Sequence, residues 1–537
     1  MFATEHLSYD QTDAFSKIVL HYLSGDESLQ PFYAAPPTPE GIRQVVGEKT
    51  THPTNRETLV TVLKEQYGPI GSKKTSTNIE LLLSPQTFTV CTAHQPNLFS
   101  GPLYFIYKIL HAIKLADHLN VQSPGQHFVP VFYMGSEDAD LAELNHFTVA
   151  GKKYTWQTDQ TGAVGRMTVD AAVSSLIIEL EQQLGVEPFG TAFCQLLRDS
   201  YQPGRSIQDA TFWFVNSLFG EYGLIVLIAD DARLKQQMLP VFEDDLFNHI
   251  PSKIVEATCS RLGEHYKVQA SPRAINLFYL DGNIRERIER QGTGFMVVNT
   301  DRRFTEAELR DELRQHPERF SPNVILRGLF QETILPNVAF IGGGGELAYW
   351  LQLKDLFHHY GVPFPVLLLR DSLLIIERNE QQLIDKLELQ ISQLFSPRLQ
   401  ILNSLLEKKG KKIKLESQLE SLVRLFNALK EQAAATDPSL EKHVEALKTK
   451  TVGKLAQLEK KLHRTERKKL EAEERQVARI KQALFPNDSL QERVENVSRY
   501  YAKWGPSFIN ALYRDMLPLE AKFVIMRETL QFPAELE

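Results

Sequence analysis

Three short stretches of the chain gather residue types that do chemistry. The first is Thr92-Ala93-His94-Gln95-Pro96-Asn97, followed by Ser100-Gly101-Pro102. It sets an imidazole and two side-chain amides before a helix start, whose free N–H groups suit a phosphate or carboxylate. His94 there could donate to negative charge developing on a transferring phosphate. The second is Gly135-Ser136-Glu137-Asp138-Ala139-Asp140, with Glu143, Asn145 and His146 behind it. Four acids so close repel one another unless a metal, a cationic substrate or a catalytic task holds them. One could bind a substrate ammonium or take its proton, and hard oxygen ligands would also suit magnesium. The third is Ile341-Gly342-Gly343-Gly344-Gly345-Glu346, then Ala348-Tyr349-Trp350. Glycines between a strand and a helix let the backbone approach a ligand closely. The run is neither GxGxxG nor a Walker A motif, since no Lys-Ser/Thr follows. Arg327 and Arg370 flank it. Arg370 could hold a carboxylate through two parallel hydrogen bonds, or pair with a neighbouring acid. The plainer readings are a polar turn that only caps a helix and an acidic helix start.

Regular elements must position these stretches. Thr87–Ala93 is rich in β-branched and aromatic residues and reads as a buried strand. A helix follows from Pro102 to about Asn120, with Ile106, Ile109, Leu110 and Ile113 at helical spacing. Phe128–Met134 is a second strand, so a right-handed parallel unit is expected, with ligands at the carboxyl ends of its strands. Leu224–Ala229, Phe295–Asn299, Val338–Ile341 and Val366–Leu369 are further strand candidates. Together they predict an α/β sheet with insertions. Lys153–Val169 reads as a β-hairpin insertion turning near Gly162.

Composition bounds the rest. The 537 residues carry a net charge of −7, with 42% hydrophobic and 24% charged residues. That excludes a wholly disordered chain and one basic enough throughout to coat nucleic acid. Cys91, Cys194 and Cys259 are scattered, which excludes a disulfide framework and a cysteine-built zinc site. No signal peptide and no apolar run of membrane-spanning length are visible. The expectation is a cytoplasmic protein without a membrane partner. Residues 376–485 differ, being poor in Gly, Pro and aromatics. Leu415, Leu419, Leu422, Phe426 and Leu429 are spaced as a heptad seam, and Leu455, Leu458 and Leu462 repeat it. Two helices of 45 to 55 residues, broken at Ala433–Pro438, are predicted, forming an arm that pairs with itself and with a second subunit. Residues 401–482 hold 20 basic and 12 acidic side chains, a surplus of eight positive charges on a body carrying fifteen negative ones. A nucleotide- or nucleic-acid-binding protein acting through this arm is therefore the alternative reading. The domain expectation is a core over 1–375, an arm over 376–485, and a segment over 486–537 that packs back on the core.

The stretches TAHQPNLFSGPLYFIYKILHAIKLA (92–116), PVFYMGSEDADLAELNH (130–146) and LPNVAFIGGGGELAYWLQLKDLF (335–357) resemble the bacillithiol biosynthesis cysteine-adding enzymes, a cysteine ligase family. The resemblance runs over essentially the whole chain. It implies a Rossmann-like core similar to class I aminoacyl-tRNA synthetases, with inserted segments and an antiparallel coiled coil that makes a homodimer. It implies that L-cysteine is joined to the amine of glucosaminyl-malate, with no nucleic-acid partner. On this reading His94, Glu137 and Asp138 are catalytic. Thr92, Gln95, Asn97, Asp140, Asn145, His146, Gly343, Gly344, Glu346, Tyr349 and Arg370 bind substrate, Arg370 through a malate carboxylate. No metal ligand set is assigned, and ATP and magnesium stay open as cofactors. Two departures stand out. Ala139 replaces the family's usual His, and no lysine-rich loop of the synthetase kind follows the last strand.

Overall fold

The computed structural model describes residues 2–68, 70–408, 415–468 and 470–529. They fall into two compact units, Met1–Ile375 with Ser489–Glu537, and Ile376–Asp488. The first unit is built on five parallel strands, β1 (Thr87–His94), β2 (His127–Met134), β3 (Ile225–Ile228), β4 (Asn337–Gly342) and β5 (Val366–Leu369). Their order is β3-β2-β1-β4-β5. The chain therefore grows outward from β1 on one side, then crosses to the other side at β4. Such a reversal opens a crevice above the carboxyl ends of the two central strands.

These strands are apolar almost throughout because both faces are covered. Helix α1 (Tyr104–Gln122) joins β1 to β2, and its Ala112, Leu115, Ala116 and Leu119 pack with Phe88, Val90 and Phe128. It stops at Ser123-Pro124-Gly125, where Gly125 takes a left-handed φ of 90°. Helix α2 (Val324–Ile334) leads into β4, and α3 (Gly344–Trp350) leaves it. Thr92 donates its hydroxyl to the Ile341 carbonyl at 2.8 Å and so ties β1 to β4 beside the crevice.

Two strand expectations need correction. Phe295–Asn299 supplies a strand over Gly294–Val297, but not to the parallel sheet. It lies in a second, antiparallel sheet ordered Arg303–Phe304, Gly294–Val297, Ile284–Gln291, Leu277–Asp281, Phe320–Pro322. Gln291 pairs with Gly294 across a tight turn, and Gly292 takes φ of 61°, so the chain folds straight back on its predecessor. The hairpin expected over 153–169 lies earlier, His146–Val149 against Lys152–Thr155, turning at Ala150 and Gly151, both left-handed. Gly162 instead runs against the Asn283 backbone, where a Cβ would sit 2.6 Å from its carbonyl carbon.

The chain's first strand, Phe2–Leu7, pairs antiparallel with Phe523–Glu528. In the second unit, α4 (Glu416–Thr436) and α5 (Leu440–Lys468) form an antiparallel hairpin. Lys430 meets Glu441 at 3.0 Å near the turn, and the Leu415 N–H meets Glu459 at 3.2 Å further along. Among the described residues these helices have 21 and 29 residues, shorter than expected, and Arg398–Lys408 and Glu471–Leu484 are further helices; the expected continuation through 409–414 and 469 lies outside the described residues.

Candidate active site

The carboxyl ends of β1 and β2, the residues after β3, the start of α2 and the glycine turn before α3 enclose one cavity of about 740 Å³. It contains three linked side chains. Gln95 donates its amide N–H to Asp138 at 3.1 Å, which turns its carbonyl toward His94 Nδ1 at 2.7 Å. A carboxylate only accepts and an amide oxygen only accepts, so the proton sits on His94 Nδ1. Nε2 then carries the lone pair, and it is buried without a partner among the described residues. Burial, reinforced by Lys108, holds the imidazole well below its ordinary pKa. His94 is therefore a neutral ring that accepts at Nε2. The expectation that it donates to a phosphate is reversed, because its only proton is already spent on Gln95.

The acid cluster does not converge on one point. Glu137 pairs with Lys235, which is fully buried and also meets Asp230 at 3.1 Å and the Glu318 carbonyl at 2.9 Å. Asp230 accepts two hydrogen bonds from Arg166, at 2.7 and 2.9 Å. Burial works against the charge on Asp230, but Lys235 and Arg166 outweigh it and bring its pKa down to about 2. Burial pushes Glu137 up, with Lys235 pulling the other way. Asp140 caps the short helix Leu141–Leu144 through the Glu143 N–H. Glu137, Asp138 and Asp140 thus each have a donor, whereas burial and the neighbouring Asp138 and Asp140 raise the pKa of Glu143. Among the described residues no group of three or more His, Cys, Asp or Glu could hold a metal.

Across the cavity, Lys108 projects from the apolar face of α1 and pairs with Glu346 while donating to the Ala93 carbonyl at 3.0 Å. Glu346 also accepts from the Gly343 N–H at 2.8 Å, which closes the start of α3. Gly342 to Gly345 all have negative φ, so the run is not there for left-handed backbone. Gly342 is there for space. A Cβ on Gly342 would lie 2.9 Å from the Phe340 ring and 3.0 Å from the Glu346 Cβ. Arg370 lines the cavity, but one arm of its fork is bound to buried Glu492 at 2.7 Å and the other to the Asp371 carbonyl at 2.9 Å. The expected malate contact is therefore corrected. Glu492, from the chain's last fifty residues, already neutralises this arginine.

Nine expected site residues line the cavity: His94, Gln95, Glu137, Asp138, Gly343, Gly344, Glu346, Tyr349 and Arg370. Five do not, each for a local reason. Thr92 is the inter-strand tie described above. Asn97 is buried beneath the turn that precedes α1. Asp140 is the helix cap. Asn145 donates to the Trp156 carbonyl at 3.2 Å, and His146 starts the hairpin with Nδ1 3.3 Å from Asn145. Lys108, Asp230, Arg285 and Arg493 line the cavity and were not foreseen. A lysine amid Ile106, Ile109 and Leu110 was the one available signal, because a charge on an apolar face needs a partner.

The description "Bacillithiol biosynthesis BshC, N-terminal Rossmann-like domain" matches residues 2–371, and "Bacillithiol biosynthesis BshC, C-terminal coiled-coil domain" matches 373–528. The chain belongs to the BshC family of bacillithiol biosynthesis. A relative from Flavobacterium johnsoniae is 40% identical over 97% of this chain and 99% of its own length. One from Flavobacterium psychrophilum is 38% identical over 98% and 99%. Both carry the name "Putative cysteine ligase BshC". The family's two-part description agrees with the parallel-sheet unit and the helical hairpin found here. Among the described residues of this BshC chain, no helix is long and apolar enough to cross a membrane.

Proposed function

We propose that the protein is a ligase that joins the carboxyl group of L-cysteine to the amine of glucosaminyl-malate within this cavity. The names of its relatives support the reaction class. The observation that carries the assignment to this cavity is the meeting of a neutral imidazole, a carboxylate relay and buried cations at the sheet's switch point. A carboxylate does not acylate an amine at a useful rate until its oxygen becomes part of a leaving group. We assign that step to ATP. The cysteine carboxylate attacks the α-phosphorus and pyrophosphate leaves. The amine nitrogen then attacks the acyl carbon, AMP departs, and the amine gives up a proton. In this scheme His94 Nε2 accepts from the attacking amine. Asp138 holds the relay, and Glu137 faces the cysteine ammonium.

The decisive experiment supplies folded protein with cysteine, glucosaminyl-malate and ATP and follows bacillithiol by mass spectrometry. Product and pyrophosphate in equal amounts are expected. No product from the complete mixture overturns the ligase reading, and product without ATP overturns the activation step.

The reading extends to a cytoplasmic homodimer. Three free cysteines support a reducing compartment. The arm supports a second copy, since no residue of α4 is buried and Leu429, Leu447 and Leu458 are each more than 40% exposed. Light scattering is expected to give twice the 61.2 kDa chain mass.

A further inference from the structure

Arg285 and Arg327 line the cavity beside the start of α2, and among the described residues neither is paired with an acid. Arg285 lies on the strand Ile284–Gln291, opposite Leu280. Its guanidinium passes over the Phe278 ring, 4.1 Å from the centroid, and Nε donates to Ser321 Oγ at 3.1 Å. Ser321 pairs with Phe278 in the next strand, so the side chain crosses the second sheet to the residues that open α2. Arg327 stands one turn into α2, where its backbone N–H reaches the Asn323 carbonyl at 2.9 Å. Its guanidinium lies 6.0 Å from the Tyr133 ring and donates to the Tyr349 hydroxyl. Among the described residues, neither guanidinium lies within 4 Å of a carboxylate, although both line the cavity with Asn323 and Val324. Three other cations at this edge are neutralised, Lys108 by Glu346, Lys235 by Glu137 and Asp230, and Arg370 by Glu492, while Arg493 also lines the cavity.

We propose that Arg285 and Arg327, flanking the start of α2, are the specificity determinants for the dicarboxylate end of the amine substrate. This rests on the acceptor being glucosaminyl-malate. Each guanidinium presents a fork that matches one carboxylate, and malate carries two. A single amino-acid carboxylate would leave one fork unanswered. The partial positive charge of an α-helix start adds to the same field. The division of labour follows. The second sheet and α2 select the acceptor, while β1, β2 and the glycine turn face the reacting groups. Arg370, to which the sequence reading gave the malate contact, is bound to Glu492.

The test compares the native protein with Arg285→Gln, Arg327→Gln and, to separate charge from fork, Arg285→Lys and Arg327→Lys, each verified as folded by circular dichroism. Steady-state rates are taken with glucosaminyl-malate and with methyl glucosaminide, whose aglycone is neutral. Losing one charged hydrogen-bonding partner should raise the KM for glucosaminyl-malate roughly tenfold to a hundredfold. The KM values for cysteine and for methyl glucosaminide should not change. The lysine variants should fall between. An unchanged KM for glucosaminyl-malate, or a rise confined to cysteine or ATP, overturns the proposal. Calorimetry with free malate keeps it decidable without turnover. Malate heat in the native protein that is lost in both glutamine variants supports the subsite even where no amide forms. No malate heat in the native protein, with no amide formed, overturns it.

Discussion

Two of the first unit's buried lysine–glutamate pairs lie at opposite edges of the central sheet. At the amino edge Lys49 meets Glu332 at 3.4 Å, with both side chains fully buried. Glu332 also accepts from Asn337 at 2.8 Å, and Lys49 donates to the Glu332 carbonyl at 3.0 Å. At the carboxyl edge Lys108 meets Glu346 with only 4% of the lysine exposed but 21% of the glutamate. The same two residue types thus do different work. The enclosed pair is fully buried, and its bonds to Asn337 and to the Glu332 carbonyl tie it to the residues that lead into β4. The other borders the cavity, where the glutamate has surface left for a ligand. Ion pairing alone does not mark a site. Access does.

That contrast can be broken by substitution. Lys49→Met removes the cation that faces buried Glu332 and should cost about 3–5 kcal/mol in urea unfolding, with activity per folded molecule unchanged. Lys108→Met should lower turnover about a hundredfold, equal to about 2.7 kcal/mol, with a smaller loss in the same unfolding assay. If the two variants behave alike in both assays, the contrast fails. Gly342→Ala should cost about 1–3 kcal/mol of stability, since the added methyl meets Phe340 and Glu346. A fourth test concerns Asp245, a buried carboxylate with amide partners only. It accepts from the Asn276 N–H at 2.6 Å and from its side chain at 2.9 Å. Burial raises its pKa to about 7 despite these bonds. Between its ordinary value near 3.8 and about 7, the folded state holds the proton more tightly than the unfolded one. Stability should therefore fall as pH rises through that window, by at most about 1.4 kcal/mol per pH unit. Unfolding at pH 5 and pH 7 should show this slope in the native protein and not in Asp245→Asn.

Legibility in the sequence followed locality. β1, α1, β2, β4 and β5 were readable because apolar runs, helical spacing and turn residues lie within a few positions of one another. The glycine turn and the acid-rich loop were readable as stretches. What they do was not, because their partners arrive from afar. Glu137 depends on Lys235, Gln95 on Asp138, and Arg370 on Glu492, a separation of 122 positions. Arg285 was invisible for another reason. Its strand, IRERIERQ, alternates charge and reads as a solvated surface, and only the crossing of the second sheet turns it inward. The Lys153–Val169 reading failed because Gly162 resembles a hairpin turn but serves a close backbone crossing.

The Arg370–Glu492 contact has a consequence for how the protein is made. Ribosomes add roughly 5–20 residues per second, so the 122 residues between them take about 6 to 24 s to appear. For that time the cavity wall has its arginine but not its counterion, and strand Phe2–Leu7 still lacks Phe523–Glu528. The whole helical arm is translated in the interval. A nascent chain therefore cannot complete this cavity wall until the C-terminal segment has emerged, and truncation there yields a core that carries a buried, unanswered charge. Completeness of synthesis is read out as assembly of the site.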